Sequence, residues 1–180
     1  AIKNKIKIIL RVETNLNSKI NFLKKFVKTI LLRIFFKRIS YFLSIGKLNK
    51  KFYLHHDVKQ KKIYPAPYFV DQKFFNIKKA KNRIKKKIKS EGKKIILFVG
   101  KLIDRKNPLE FLKLAKLSKS QNQFKFLMIG DGYLKKKCQT YVKKNNLKNV
   151  SLIGFVNQKE LREYYKVSDL LVVPSKYETW

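Results

Sequence analysis

From Lys94 onward the chain repeats one pattern, a short apolar run closed by glycine followed by an amphipathic stretch. Lys94 to Gly100 reads KIILFVG, apolar without alternation, as a strand buried on both faces requires. Asn107 to Ser118 follows with Leu109, Phe111, Leu112, Leu114, Ala115 and Leu117 mostly on one helical face. Pro108 falls in the first turn, where its missing N–H costs nothing. The unit then recurs: Phe124–Gly130 as strand, Tyr133–Lys144 as helix, Val150–Gly154 as strand, Lys159–Lys166 as helix and Asp169–Pro174 as strand. Strand and helix alternating at this spacing predict an α/β fold with an open parallel sheet.

The first half has another texture. Lys5–Val12 reads as a strand, Lys19–Ser40 as a long helix, Tyr41–Gly46 as a strand and Leu48–His55 as a helix. Lys62–Pro67 is expected to be extended, because each proline biases its predecessor away from the helix. Gln72–Ser90 is Lys-rich with weak periodicity, which puts a domain boundary near residues 68–93. The chain opens on Ala1 within a strand-like pattern and stops at Trp180 straight after one, so it is expected to be a piece of a longer protein.

Composition sets limits on function. The 180 residues carry 45 Lys+Arg against 11 Asp+Glu, a formal net charge of +34. A 44% hydrophobic and 13% aromatic content argues against a disordered basic tail. Cys138 is the sole cysteine, which excludes a disulfide framework and a Cys-built zinc site. Uncharged stretches fall short of the roughly 18 residues of a membrane span. Two readings of the charge stand: the residue usage of an A/T-biased genome, or a polyanionic partner. Only six of the 45 cations are Arg, so specific nucleic-acid reading is not expected. Phe22 to Phe42 mixes large apolar residues with Lys24, Lys25, Lys28, Arg33, Lys37 and Arg38. It reads either as a core helix with a solvated basic face or as a surface helix against anionic lipid.

Several catalytic templates are absent. There is no G-x-x-x-x-G-K-[ST] phosphate loop and no G-x-S-x-G elbow. His55 and His56 are adjacent, point in different directions on a helix and make a poor chelate. What remains is a set of polar loops at the carboxyl ends of successive strands, where open α/β sheets bind ligands. Gly100–Asn107 brings cations ahead of a helix N-terminus, the combination a diphosphate needs. Gly130-Asp131-Gly132 makes a tight turn in which Asp131 also suits a helix cap. Gly154-Phe155-Val156 offers a flat apolar patch, and Pro174–Trp180 closes the series.

These loops carry a resemblance. Phe98-Val-Gly-Lys-Leu with Arg105-Lys106, then Ile129-Gly-Asp-Gly, Leu152-Ile-Gly-Phe-Val and Ser168-Asp-Leu-Leu-Val-Val-Pro-Ser-Lys-Tyr-Glu-Thr-Trp180 appear in order. Together residues 94–180 resemble the nucleotide-sugar-binding domain of retaining two-Rossmann (GT-B) glycosyltransferases, family 4 or group 1. Residues 1–70 look like the C-terminal part of that family's acceptor domain, and 71–93 like the crossing segment. Pro67-Tyr-Phe-Val-Asp71 stands where the family writes a P-x-x-V-D turn. The resemblance implies two Rossmann-like domains, with only the end of one and the first half of the other present.

It also implies roles. Lys101 stands where the family has a basic residue, usually Arg, gripping the donor diphosphate, and Lys106 on the second phosphate cation. Lysine at 101 keeps the charge without the bidentate fork. Gly132, Phe155 and Val156 fall where the nucleotide base is lined. Glu178 matches the first carboxylate of an E-x7-E motif near the donor sugar; the second would lie beyond Trp180. Glu13 replaces a histidine that many relatives place near the reacting sugar. Arg11 and Glu13 could meet acceptor or donor hydroxyls, or simply form a strand-end ion pair. The implied reaction moves a sugar from a nucleoside-diphosphate donor to a glycan or glycolipid hydroxyl with retention. It needs no metal or other cofactor, since fixed cations stabilise the leaving diphosphate. The resemblance points to cell-surface polysaccharide or glycolipid synthesis in the cytoplasm or on the cytoplasmic face of the membrane. The 180-residue chain alone is expected to be inactive. Two rivals are a degenerate nucleotide-sugar-binding relative and a basic protein that coats nucleic acid or membrane.

Overall fold

The computed structural model describes residues 6–16, 21–76, 84, 88, 90 and 92–178. The chain divides into two compact units, Ala1–Val70 with Glu178–Trp180, and Asp71–Tyr177.

The first unit holds β1 (Ile9–Arg11), α1 (Phe22–Lys37), β2 (Tyr41–Ser44), α2 (Lys47–His55) and β3 (Ile63–Pro65). The strands form a parallel sheet in the order β1-β2-β3. The strand expected over Lys5–Val12 is shorter, and Lys5 lies outside the described residues. The long helix starts later than expected, because the Asn21 side chain caps it by accepting from the Leu23 amide. It stops at Lys37, three residues early, and the amides of Arg38 and Ile39 close it on Phe35 and Phe36. Phe36, Ile39, Phe42, Phe52, Tyr53 and Val58 make the core. Phe36 sits edge-on to Phe42 with ring centroids 5.1 Å apart, a favoured aromatic geometry. His56 is buried in this aromatic cluster, and its Nδ1–H donates to the Phe52 carbonyl at 2.8 Å. His55 stays on the surface, so the vicinal histidines have separate environments.

The second unit holds α3 (Gln72–Phe75), β4 (Lys94–Val99), α4 (Pro108–Leu117), β5 (Phe124–Ile129), α5 (Lys135–Lys144), β6 (Val150–Gly154), α6 (Gln158–Val167) and β7 (Leu170–Leu171). Its sheet is parallel throughout, in the order β6-β5-β4-β7. Alternate residues feed two cores. Ile96, Phe98, Phe126 and Met128 pack with Phe111, Leu112 and Cys138, while Ile95, Leu97, Leu127 and Ile129 pack with Tyr164 and Val167. Burial on both faces explains why these strands lack polar alternation. Asp71, from the P-x-x-V-D turn, caps α3 by accepting from the Phe74 amide at 3.0 Å. Most of the Lys-rich stretch after it lies outside the described residues.

The last strand is a correction. Only Leu170 and Leu171 pair with β4, not the run to Pro174. Asp169 starts the pairing: its carboxylate accepts from the Ile95 amide at 2.8 Å and from Lys94 Nζ at 3.0 Å. After Val172, whose amide still donates to Leu97, the chain turns toward Arg105.

Candidate functional site: the carboxyl edge of the second sheet

The strand order puts the Gly130-Asp131-Gly132 turn between the loop after β4 and the loop after β6. Main-chain bonds join these loops in sequence. The Gly130 amide donates to Gly154 (2.8 Å), Gly100 to Ile129 (3.0 Å), Leu102 to Asp131 (2.9 Å) and Lys176 to Arg105 (2.9 Å). All four strand-end loops therefore belong to one hydrogen-bonded edge, which fixes its shape at little entropic cost on ligand binding.

Glycine is required there by close approach. A Cβ on Gly130 would lie 1.8 Å from the Gly100 carbonyl oxygen, and one on Gly132 would lie 2.5 Å from that of Leu102. No side chain fits either gap. Backbones this close lock the Gly130-Asp131-Gly132 turn against the loop after β4.

The loop after β4 presents the cations. Lys101 is exposed. Asp104–Lys106 form a 3-10 turn, and Asn107 sits in the left-handed region (φ 52°), turning the chain sharply into α4. Asn107 gives this helix no side-chain cap, and Pro108 occupies its first turn. The positive end of the helix dipole and the Arg105 and Lys106 side chains thus share one turn of chain. The stem of Lys106 runs alongside Gly100, with Cγ 3.8 Å from where a Cβ would stand. The Arg105 guanidinium lies 5.9 Å from the Tyr177 ring centroid, which ties the loop before Glu178 to the same turn.

Tyr133 latches the turn. Its hydroxyl donates to Asp104 Oδ2 at 2.6 Å and accepts from the Asp104 amide at 3.0 Å. The bond to the carboxylate pushes the phenol above its ordinary range. Asp131 departs from expectation. It does not cap α5, which starts at Lys135; its carboxylate accepts from the Gly132 amide and from Lys135 Nζ, both at 2.7 Å. Lys135 and that amide hold the carboxyl below its usual range.

Phe155 and Val156 part ways. Phe155 is 79% exposed at the edge. Val156 is half-buried and packs against the core that holds Ile95, Leu97, Leu127, Ile129, Tyr164 and Val167.

Arg11 and Glu13 lie in the first unit, at the carboxyl end of β1. Arg11 stacks 4.5 Å over the Tyr68 ring and donates to the Ala66 carbonyl (3.4 Å). Among the described residues it forms no ion pair with Glu13, so the strand-end pair is not what places it. Glu13 is exposed on a turn that is buckled from below. Asn49, fully buried, donates through Nδ2 to the Val12 (2.9 Å) and Thr14 (2.8 Å) carbonyls and accepts from the Ile45 amide (3.1 Å). The Tyr53 hydroxyl accepts from the Val12 amide (3.2 Å) and donates to Leu43 (3.1 Å). Burial keeps this phenol above its ordinary range. Glu178 is exposed and groups with the first unit, where its backbone carbonyl accepts from Asn15 Nδ2 (3.3 Å).

Sequence reasoning missed Asn49, Tyr53 and Tyr133. The signal for the first pair is the i, i+3, i+4, i+7 face Asn49, Phe52, Tyr53, His56: a polar residue on an inward helix face must find partners.

The family model described as glycosyl transferases group 1 matches residues 80–180. The chain is 34% identical over 141 residues to a Campylobacter jejuni protein, the GalNAc-alpha-(1->4)-GalNAc-alpha-(1->3)-diNAcBac-PP-undecaprenol alpha-1,4-N-acetyl-D-galactosaminyltransferase. That match covers 74% of this chain and 36% of the relative. It is 30% identical over 89 residues to the 2-deoxystreptamine N-acetyl-D-glucosaminyltransferase of Niallia circulans, covering 48% of this chain and 23% of that one. The chain thus spans about a third or less of these curated relatives. Anabaena HepE in complex with UDP superposes with a TM-score of 0.77 at 11% identity, over 95% of this chain and 47% of HepE. Staphylococcus aureus TarM superposes with a TM-score of 0.70 at 21% identity, over 96% of this chain and 33% of TarM. With a Rossmann-like α/β fold and a family match over more than half its length, the chain belongs to the group 1 glycosyltransferases of the GT-B kind.

Proposed function

We propose that the protein transfers a sugar, with retention, from a nucleoside-diphosphate donor to a hydroxyl of a glycan or glycolipid. The observation that carries this reading is the stitched edge of the second sheet. Lys101, Lys106 and the α4 N-terminus lie on one loop, against which the glycines at 130 and 132 pack closely. As the glycosidic bond stretches, negative charge grows on the diphosphate. Fixed cations and helix amides stabilise that charge without reorganising, and supply what a metal ion would otherwise supply. Phe155 offers its face to the base, beside Gly132. Glu178 orients the donor sugar rather than attacking it, and Glu13 and Arg11 meet hydroxyls from the first unit.

The relatives' names support the substrate classes. The Campylobacter protein is named for a sugar acceptor on PP-undecaprenol, and HepE has been crystallised with UDP and with UDP-glucose. A glycan acceptor used at the cytoplasmic face of a membrane suits this chemistry. Among the described residues no helix is long and apolar enough to cross a membrane.

Titration calorimetry with UDP, GDP and their sugars tests the donor site. The expected result is a base preference that persists in salt, with Lys101→Ala and Lys106→Ala each weakening binding about 10- to 100-fold, the range for a charged hydrogen bond. Binding that ignores the base and collapses with salt would mark a polyanion-coating protein instead.

A further inference from the structure

Lys101 and Lys106 stand on a loop between strand and helix, and such a loop keeps one geometry only where bonds from outside it supply the restraint. Residues 131–134, after β5, supply most of it. The Leu102 amide donates to the Asp131 carbonyl, and the Leu134 amide donates to the Leu102 carbonyl, both at 2.9 Å. These bonds pin Leu102, which is buried. The 3-10 turn that follows, Asp104–Lys106, is gripped separately. On one side the Lys176 amide donates to the Arg105 carbonyl at 2.9 Å. On the other, the Tyr133 hydroxyl donates to Asp104 Oδ2 at 2.6 Å and accepts from the Asp104 amide at 3.0 Å. One phenol oxygen thus holds both the side chain and the main chain of the residue that opens the turn.

The residue so held is the one acid in a basic loop. Between Gly100 and Asn107 the chain reads KLIDRK, with Asp104 next to Arg105 and two positions from Lys106. A carboxylate free to swing there would compete with a diphosphate for the same cations. The tyrosine bond engages one of its oxygens and fixes the direction of the group. A ring with two side-chain torsions does this at small entropic cost.

We propose that Tyr133 is a positioning residue for the donor diphosphate: by holding Asp104 it keeps the turn that carries Arg105, Lys106 and the start of α4 in the geometry that receives the phosphates. This role rests on the sugar-transfer reading of the same edge. Tyr133 acts through Asp104, across the adjacent strands β4 and β5, and reduces the ordering that the phosphates would otherwise have to impose on the turn.

Tyr133→Phe removes the hydroxyl and leaves the ring and the net charge of +34 in place, so non-specific attraction to anions is held constant. Binding to the 180-residue chain is measured in about 0.15 M salt with UDP, inorganic pyrophosphate and uridine as probes. UDP and pyrophosphate should each bind about three- to tenfold more weakly to the variant, the range for a lost hydrogen bond. Uridine, which has no phosphate, should bind both chains equally. Hydrogen exchange gives a readout that needs no ligand: the Asp104 amide loses its acceptor and should exchange faster.

Equal exchange in the two chains would show that the hydroxyl holds nothing, and faster exchange with unaltered UDP and pyrophosphate affinity would show a hold without consequence; either overturns the proposal. Uridine weakened in step with UDP would place Tyr133 at the base or in the general fold, and equally overturn it. A parent chain that binds neither UDP nor pyrophosphate would overturn the sugar-transfer reading itself, and this role with it.

Discussion

Replacing Asn49 by Asp keeps size and shape, so what changes is the hydrogen-bond chemistry beneath Glu13. Asn49 Nδ2 supplies two donors, to Val12 and Thr14, and an aspartate supplies none. At about 1 kcal/mol per net hydrogen bond, the loss is about 2 kcal/mol. A carboxylate placed at 0% exposure against two carbonyl oxygens adds desolvation and repulsion, for a total of about 3–5 kcal/mol. In urea, with a slope of roughly 1–3 kcal/mol/M, the midpoint of the first unit should drop by more than about 1 M. Circular dichroism reports the transition, and hydrogen exchange at β1 and β2 assigns it to that unit.

The pH dependence separates this account from a mere packing defect. Burial raises the pKa of the new carboxyl above its unfolded value, so the folded state binds more protons than the unfolded state. Stability relative to the parent should therefore recover as pH falls toward the carboxyl range and be lost as it rises. Asn49→Ala, which titrates nothing, should be destabilised by a similar 2–4 kcal/mol with no such recovery. An Asn49→Asp midpoint within experimental error of the parent at neutral pH would refute the buckle. So would an equal pH profile for the two variants.

Two further outcomes follow from the same geometry. Gly130→Ala places a methyl 1.8 Å from the Gly100 oxygen and should cost about 3 kcal/mol or more in thermal or urea unfolding, because only backbone movement relieves it. Gly154→Ala meets nothing within 4 Å and bears only the left-handed strain of φ 85°, about 1–2 kcal/mol; equal losses for the two would sink the close-approach argument. Held by burial below its ordinary 6.5, His56 is protonated more readily in the unfolded chain than in the fold, so stability should fall as pH drops through 6.5, by at most about 1.4 kcal/mol per pH unit. His56→Gln should flatten that slope in melting curves, and an unchanged slope would assign it to other groups.

The strands of the second unit were legible in the sequence because burial on both faces writes itself as an unbroken apolar run. Gly130 was legible as an ending, since no other residue passes the Gly100 carbonyl. β7 was overread. Leu-Leu-Val-Val looks like one strand, but pairing with β4 stops at Leu171 and the chain then reaches toward Arg105, a partner some 70 residues earlier. The cations of the edge could be read because Lys101 and Lys106 flank one strand-to-helix turn. The latch between Tyr133 and Asp104 could not, since it joins two loops 29 residues apart.

The buckle under Glu13 and the covered face of α1 show the same limit from opposite directions. Periodicity says that Asn49 faces inward; it does not say that the amide will bracket a carboxylate-bearing turn 35–37 residues away. In α1, apolar residues occur at nearly every angle, so hydropathy alone leaves the covered face undetermined. Packing decides it. Once Phe36 is locked edge-on to Phe42 and Tyr53, the helix can present only the Leu32–Phe36 side to this core. Rotating it to bury Phe26 and Ile30 instead would break those ring contacts and draw Arg33 from Asp57. The covered face of α1 is therefore fixed by which aromatic residue seals the core.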